Sequence, residues 1–280
     1  MPLTTTGELV TRARTARTAV AAFNVITLEH VEAVIAGAEA VGAPVVLQVS
    51  ENAVAYRHGR LLPLAHAAAA AAERAAVPVA LHLDHVRSDL LLRQAAEAGF
   101  SSVMYDASRL PYDENLAATR TAVDRAHAQG LWIEAELGEI GGKGAHTPGA
   151  RTDPVEARAF VADSGVDALA VAIGTVHAMT TRTAALDHDL LGRLGADLDV
   201  PLVLHGSSGV PDRELTAAVA GGIAKVNIGT ALNQAMTGAI RAYLTAHPDA
   251  VDARTYLSAG REAMAHTVER IITGVGLSLA

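Results

Sequence analysis

The sequence predicts an α/β protein: a single (β/α)8 TIM barrel with an extra C-terminal helix, with residues 1–280 forming one domain. Three observations support this prediction. Short runs rich in Val, Ile and Leu recur about every 25 to 40 residues, and an Ala-rich stretch with helical spacing follows each run. The runs are continuous rather than alternating, which is typical of parallel strands covered on both faces. Eight strand–helix units in alternation indicate this barrel.

Each unit contains one predicted strand and one predicted helix. The strands are expected at Val20–Val25, Pro44–Ser50, Val77–Asp84, Ser102–Asp106, Leu131–Leu137, Ala168–Ile173, Pro201–His205 and Ala224–Ile228. The helices are expected around 29–41, 61–75, 88–98, 113–129, 154–164, 188–196, 211–221 and 231–246, with a final helix near 255–273. Asp153 is a typical helix N-cap before Pro154, and Gly165 stands where that helix should stop. The aperiodic segment 138–152 contains five glycines and is expected to be one extended loop.

The composition excludes several classes of protein. The chain is 50% hydrophobic and has no cysteine, so it fits neither a disordered chain nor a small disulfide scaffold. Its net charge of −8 argues against a nucleic-acid partner, because phosphate backbones are bound by basic surfaces. No apolar run approaches the ~20 residues of a membrane span, and the N-terminus lacks a continuous signal core. We therefore expect a cytoplasmic protein with no membrane partner.

Titratable side chains end almost every predicted strand. In this barrel the C-terminal strand ends meet at one mouth, where catalytic groups lie. His85, His177 and His205 follow strands three, six and seven. Three imidazoles with an open fourth position indicate a catalytic zinc site or a site for a similar divalent ion. Of the other histidines, His82 is a candidate to support a ligand, and His30 is expected to be solvated or capping.

Carboxylates accompany the histidines. Asp84 directly precedes His85 and is suited to exchange a proton with a substrate hydroxyl, although such a group also serves only to orient a histidine. Glu134 and Glu136 are spaced by two, so both should face the barrel interior. Buried paired carboxylates are costly without a partner, so they either meet a cation or support the site. Glu136, nearer the mouth, is an alternate metal ligand.

Small residues follow the last two strands. HGSSG at 205–209 and NIGT at 227–230 occupy the corner of this fold that usually binds phosphate. Backbone N–H groups and hydroxyls approach an anion closely in such turns, although similar turns also occur without a ligand. GGKG at 141–144 does not fit the phosphate-binding P-loop pattern.

Together these residues resemble the class II, metal-dependent ketose-bisphosphate aldolases, which cleave fructose or tagatose 1,6-bisphosphate. The resemblance covers nearly the whole chain, and the order and spacing of HLDH, GTxH and LHGxS are its most specific part. The matching segments are AAFNV at 21–25, HLDH at 82–85, EAELGEIGG at 134–142, AVAIGTVH at 170–177, VPLVLHGSSGVPD at 200–212 and KVNIGT at 225–230. The resemblance implies a glycolytic type of lyase that forms dihydroxyacetone phosphate and an aldehyde such as glyceraldehyde 3-phosphate.

The resemblance also implies roles for the residues at the predicted metal site. Asp84 matches the family's proton donor, and the zinc ligands match His85, His177 and His205. Glu136 matches a glutamate that can hold the metal in a second position. The implied cofactors are one Zn²⁺ per subunit, or another divalent ion in its place, and a monovalent cation.

A substrate and phosphate site is implied as well. It comprises Ser50, Ala178, Gly206, Ser207, Ser208, Asn227, Ile228, Gly229, Thr230 and Arg254. Arg254 is similar to an arginine that reaches a distal phosphate from a neighbouring subunit. The implied assembly is therefore a homodimer or a homotetramer.

The sequence departs from the family pattern at three places. Lys143-Gly144-Ala145-His146 follows strand five where the family usually has acidic residues, one of which transfers the C3 proton. His146 is the candidate replacement for that loop base, since an imidazole titrates near neutral pH. Ala178 replaces a usual glycine, and Ser258 stands where an arginine is common near the distal phosphate. Aldol chemistry remains the expectation, and the identity of the sugar is open.

Three alternatives stay open at this point. One is a related aldolase that acts on another phosphorylated ketose. The second is a Schiff-base aldolase that uses Lys225, one of two lysines in the chain, in apolar surroundings. The third is a non-catalytic sugar-phosphate binder that kept the barrel and lost turnover with the loop acids.

Overall fold

Eight parallel strands form a closed barrel in sequence order, with β8 paired to β1. The structure is a computed structural model that describes residues 2–137, 151–175 and 179–277. The strands are β1 Val20–Asn24, β2 Val45–Ser50, β3 Val79–Val86, β4 Ser102–Tyr105, β5 Trp132–Leu137, β6 Ala168–Val171, β7 Leu202–Leu204 and β8 Ile223–Ile228. The predicted (β/α)8 barrel is confirmed.

Helices surround the barrel, and one of them covers the end at which the strands begin. In the described residues they are α1 Thr6–Ala16, α2 Leu28–Ala40, α3 Glu51–Tyr56, α4 Leu62–Ala72, α5 Asp89–Gln94, α6 Tyr112–Ala128, α7 Pro154–Ser164, α8 His188–Asp197, α9 Asp212–Ala220, α10 Thr230–Ala246 and α11 Ala253–Val275, with a 3₁₀ turn at Ser207–Gly209. The expected C-terminal helix is α11, which packs against α2 and α10. Helices α1 and α3 were not among the predicted elements.

The strands are buried on both faces, which explains their continuous apolar runs. Inside the barrel, a small apolar layer includes Val20, Ala22, Val46 and Ala80. Between strands and helices, a much larger core includes side chains such as Phe23. Removal of this apolar surface from water is the main favourable contribution to folding.

Helix α1 closes the N-terminal end of the barrel. It contacts β1, β3 and β8, and its Leu9 and Val10 pack on the inner apolar layer. The Ser102 hydroxyl donates a hydrogen bond to Thr6 Oγ1 at 2.6 Å. A ligand therefore has to enter from the opposite end, where the strands finish.

Helix α7 begins and ends at the residues predicted from the sequence. Asp153 caps α7, because its Oδ1 accepts hydrogen bonds from the Val155 and Glu156 amides at 2.8 and 3.0 Å. Gly165 ends the same helix with a φ of +75°, a left-handed conformation that favours glycine. Within the described part of the chain, none of the helices has the length and apolarity needed to cross a membrane.

Candidate active site

A cavity of about 570 Å³ lies at the C-terminal ends of the strands. It is lined by residues from β1 and the loop after it, from β2, β3 and β8, from the turn after β7, from α3, and from the start of α10. These are Asn24, Ile26, Ser50, Asn52, Ala53, Tyr56, Asp84, His85, Gly206, Asn227, Gly229, Thr230 and Asn233. Seven predicted site residues are in that set: Ser50, Asp84, His85, Gly206, Asn227, Gly229 and Thr230.

A β-bulge turns two consecutive residues toward this cavity. In a regular strand, neighbouring side chains point to opposite faces. The pairing of β3 with β4 shifts register between Leu83 and Val86, and His85 has a left-handed φ of +51°. A non-glycine residue in that conformation costs on the order of 1 kcal/mol, and such outliers concentrate at functional sites. As a result, Asp84 and His85 both line the cavity.

Two of the predicted ligands meet the predicted alternate ligand. His85, Glu136 and His205 each offer one ligand atom, and these atoms lie within 4.8 Å of one another. The two imidazole rings are 4.9 Å apart between centroids, in an edge-on arrangement, and His205 Nδ1 is 3.2 Å from Glu136 Oε2. Two imidazoles and a carboxylate are ligands that suit Zn²⁺ and similar divalent ions. The donor set therefore fits the expected metal, and His177 lies outside the described residues.

Asp106, at the end of the β4 unit, holds the ring of His85. Its Oδ2 lies 3.0 Å from His85 Nδ1, and its Oδ1 accepts the Ser108 hydroxyl at 2.7 Å. Burial alone lowers the pKa of His85, but Asp84 and the Asp106 hydrogen bond outweigh it and raise that pKa. When Nδ1–H donates to Asp106, Nε2 is the nitrogen left for a ligand bond.

Glu134, the other glutamate of β5, is paired with the ammonium group of Lys225. Glu134 accepts from Lys225 Nζ at 2.8 Å through one oxygen and from His205 Nε2 at 2.7 Å through the other. All three side chains are fully buried. Burial opposes ionisation of Glu134, but Lys225 and then His205 outweigh it and lower its pKa to about 2. Burial likewise disfavours protonated His205, yet in the metal-free protein the hydrogen bonds to Glu134 and Glu136 raise its pKa to about 10.

Asp84 is buried, and a neighbouring side chain holds one of its two carboxylate oxygens. Its Oδ2 accepts from Asn24 Nδ2 at 2.8 Å, and Asn24 Oδ1 in turn accepts from Gln48 Nε2 at 3.4 Å. The other oxygen, Oδ1, has no hydrogen-bond partner in the part of the chain that the structure describes. Burial opposes ionisation, but His85 and His205 outweigh it and lower the pKa of Asp84. Asp84 is therefore an ionised acceptor at neutral pH.

The profile of the family described as fructose-bisphosphate aldolase class-II matches residues 4–278. The chain belongs to the class II fructose-bisphosphate aldolase family. An aldolase of this family is a lyase, and the TIM barrel and the arrangement at its mouth agree with that membership.

Solved structures show the same fold over nearly the full length of this aldolase. The YdjI aldolase from Escherichia coli K12 is 33% identical, with a TM-score of 0.87 and coverage of 99% of this chain and 98% of that chain. A putative fructose-1,6-bisphosphate aldolase from Coccidioides immitis is 31% identical, with a TM-score of 0.85 and coverage of 97% and 96%. The fructose-bisphosphate aldolase from Campylobacter jejuni is 23% identical and supports the fold, with a TM-score of 0.83 and coverage of 99% and 96%.

The structure divides the predicted phosphate residues of the aldolase between two cavities. Ser207, Ser208 and Ile228 line a separate cavity of about 350 Å³, together with Arg182 and Arg270. The Ser207 hydroxyl donates to the Leu204 carbonyl, and Ser208 Oγ accepts from the Ala231 amide. These contacts tie the turn after β7 to β7 itself and to the start of α10.

Asn227 is a buried polar side chain of the main cavity with unused hydrogen-bonding capacity. It is 7% exposed, and neither its Nδ2 nor its Oδ1 has a partner among the described residues. Its position at the end of β8 lets it meet a substrate oxygen. Arg254 lies on the first turn of α11, where its side chain is 90% exposed and pairs with Asp252. Within one subunit, Arg254 is not among the cavity residues.

Sequence reasoning missed Asn233 and misassigned His30. Asn233 lines the cavity one helical turn after Thr230, and this spacing was the available signal. His30, expected to be solvated or capping, is only 2% exposed. Its Nδ1 is 3.0 Å from Thr27 Oγ1 and its Nε2 is 3.2 Å from Asn233 Oδ1. Since that amide oxygen can only accept, His30 Nε2 carries the proton and leaves the Asn233 NH₂ group as a donor.

Other expected site residues have different outcomes. His82 is fully buried, and its Nδ1 is 2.8 Å from Ser102 Oγ. Burial, then the charge of Lys225, lowers the pKa of His82 to about 3, so it is neutral. The candidate loop base His146 and the predicted substrate residue Ala178 lie outside the described residues.

Proposed function

We propose that this class II aldolase is a zinc-dependent enzyme that reversibly cleaves the C3–C4 bond of a phosphorylated ketose. The products are dihydroxyacetone phosphate and an aldehyde. Fructose 1,6-bisphosphate and tagatose 1,6-bisphosphate are the first candidate substrates, with glyceraldehyde 3-phosphate as the aldehyde, and another phosphorylated ketose is the alternative. The β3 bulge is the observation that carries the proposal, because it aims an ionised carboxylate and an imidazole into one cavity.

His85 and His205, with His177, are the proposed zinc ligands. Glu136 lies close enough to serve as an alternate ligand, since its carboxylate belongs to the same group of ligand atoms. Zn²⁺, or another divalent ion in its place, supplies Lewis-acid stabilisation of the negative charge that develops on the ketone oxygen.

Asp84 is the proposed proton-transfer group. During cleavage its Oδ1 takes the proton of the C4 hydroxyl, the C3–C4 bond breaks and C4 becomes the aldehyde carbonyl. During condensation the C3–C4 bond forms and the proton returns to the C4 oxygen. The lowered pKa of Asp84 keeps the carboxylate ionised and able to accept a proton, and the Asn24 hydrogen bond fixes which oxygen is available. The C3 carbon requires a second proton donor, for which His146 remains the candidate.

The phosphate next to the ketone is proposed to bind near β8 and the start of α10. Gly206, Gly229 and Thr230 line the cavity there, and their backbone N–H groups suit an anion. The N-terminus of the 17-residue helix α10 adds the favourable end of the helix dipole. Asn227 is placed to bind an oxygen on the reacting carbons.

A Schiff-base mechanism is less well supported. It needs the Lys225 amine at the substrate, but that amine is buried in an ion pair with Glu134 and Lys225 is not among the cavity residues. We also propose a homodimer or homotetramer in which Arg254 reaches the cavity of a neighbouring subunit. The proposed location is cytoplasmic.

The test is a substrate panel with added Zn²⁺. It compares fructose 1,6-bisphosphate, tagatose 1,6-bisphosphate and singly phosphorylated ketoses, before and after treatment with a chelator. We expect cleavage that the chelator abolishes and Zn²⁺ restores. Cleavage that survives the chelator, with covalent trapping by borohydride, would overturn the zinc mechanism. Tight binding of dihydroxyacetone phosphate without exchange of its C3 hydrogen would instead identify a non-catalytic binder.

A further inference from the structure

A buried chain of contacts runs beneath the candidate metal site. It starts at Lys225 on β8, crosses the barrel to Glu134 on β5 and ends at His205 after β7. The strands β5 and β8 are not neighbours in the barrel, so the contact spans its interior. None of the three side chains is exposed to solvent.

Burial of the charged groups of Lys225 and Glu134 costs free energy. A buried ion pair is seldom more stabilising than apolar side chains of similar volume. Apolar side chains fit elsewhere in the barrel interior, as at Val46 and Ala80. The pair therefore has a more specific role than stability, and its second partner indicates that role.

Glu134 decides which nitrogen of His205 faces the mouth. An ionised carboxylate only accepts hydrogen bonds, so the 2.7 Å contact requires the proton on His205 Nε2. Nδ1 is then the nitrogen that faces Glu136, at 3.2 Å, on the side of the ligand group. A metal-binding histidine commonly donates its other N–H to a carboxylate, which fixes the tautomer and the ring orientation.

We propose that Lys225 is a positioning residue: its ammonium holds one oxygen of Glu134, so that the other oxygen stays on His205 Nε2 and His205 Nδ1 faces the metal. This inference rests on the metal site of the proposed function. Lys225 neither lines the cavity nor belongs to the ligand group, and Glu134 is the residue that connects it to His205. Without the ammonium, the Glu134 carboxylate loses this anchor and no longer fixes the orientation of the His205 ring.

The first test uses Lys225→Met, which keeps much of the side-chain length and removes the charge. The matched control is the double variant Lys225→Met with Glu134→Gln, because the glutamine Oε1 still accepts from Nε2–H and no charge is left unpaired. The Zn²⁺ dissociation constant is measured by competition with a chelator, and the site geometry by the visible spectrum of the Co²⁺-loaded protein.

We expect Lys225→Met to bind Zn²⁺ about 10- to 100-fold more weakly and to alter the Co²⁺ spectrum. The double variant should recover most of both losses. Unchanged Zn²⁺ affinity and an unchanged spectrum in Lys225→Met, with only a lower Tm, would show that the lysine is merely structural. If wild-type protein binds no Zn²⁺, the proposed function itself fails, which is a different result.

A second measurement needs no variant to fold. In wild-type protein with isotope-labelled histidine and a bound metal, NMR distinguishes the metal-bound nitrogen of His205 from the protonated one. We expect the metal on Nδ1 and the proton on Nε2. Metal bound to Nε2 would overturn the proposal, whatever the behaviour of the variants.

Discussion

Asn24 donates a hydrogen bond to Asp84 across the mouth of the barrel, from Nδ2 to Oδ2 at 2.8 Å. The two residues come from β1 and β3, and Gln48 on the intervening β2 holds the other end of the Asn24 amide. The amide cannot turn round without losing both contacts. One carboxylate oxygen is thus held by the protein, and the other has no hydrogen-bond partner among the described residues.

Replacement of that carboxylate should stop catalysis and spare the metal. Asp84→Asn retains the side-chain shape but cannot accept a proton at the C4 hydroxyl. General acid–base groups contribute about 10²- to 10⁴-fold to rate, so kcat should fall in that range. Bound Zn²⁺, measured on the same protein, should stay near one per subunit. An Asp84→Asn variant with wild-type kcat would refute the assigned role.

Asn233 should affect substrate binding more than the chemical step. Its NH₂ group is oriented by His30, and Asn233→Ala removes this donor from the cavity wall. One hydrogen bond to a neutral group contributes about 0.5–1.5 kcal/mol, so KM should rise about 2- to 10-fold with kcat nearly unchanged. Thr237→Ala, one turn further along the exposed side of α10, is the matched control. Equal KM values in both variants would remove Asn233 from the site.

His82 should make folding stability depend on pH. Its pKa in the folded protein is about 3, against 6.5 as the ordinary value. Below pH 6.5 the unfolded chain takes up a proton that the folded protein refuses, so this contribution to stability falls as the pH falls toward 3. The slope from one such group is up to about 1.4 kcal/mol per pH unit.

The measurement is urea unfolding of metal-free protein at several pH values between those limits. His82→Gln cannot titrate, so its stability should decline less steeply than that of the wild-type protein as the pH falls. Parallel curves for the two proteins would mean that His82 is not held neutral by its burial.

Gly37 should be necessary for the packing of α2 against α11. A Cβ at this position would lie 2.5 Å from the Ala265 carbonyl oxygen and 2.7 Å from Val268 Cβ. Gly37→Ala therefore forces the helices apart, at a cost of about 1–3 kcal/mol in the free energy of unfolding. Gly192→Ala in α8 is the control, since its Cβ meets nothing within 4 Å and should stabilise the helix by ~0.5–1 kcal/mol. A neutral Gly37→Ala variant would contradict the packing described for these helices.

The barrel was predictable from sequence because burial on both faces requires a continuous apolar run in each strand. Helix α1 gives a weaker pattern, since it buries Leu9, Val10 and Ala13 within an otherwise polar segment. Helix α3 is only six residues long, too short for a periodic pattern to be recognised. Such elements depend on the tertiary structure for their stability and are hard to infer from local sequence.

For the site, strand ends were the informative positions. They predicted that Asp84, His85, Glu136 and His205 would converge, because parallel strands bring their ends together. The partner of Glu134 was not predictable, since the Lys225 contact crosses the barrel between strands that are distant in sequence. The role of His30 was missed for a similar reason, because its partner Asn233 is on a helix far along the chain.

Asp84 and His85 are consecutive residues, joined by a single peptide unit, and the bulge in β3 lets both face the cavity. The backbone spacing between the proposed proton acceptor and the proposed metal ligand is therefore set by covalent geometry. Asn52, Tyr56 and Asn233 on α3 and α10 line the same cavity but do not belong to the ligand group. Attempts to redirect the enzyme to other sugars should begin with those three positions.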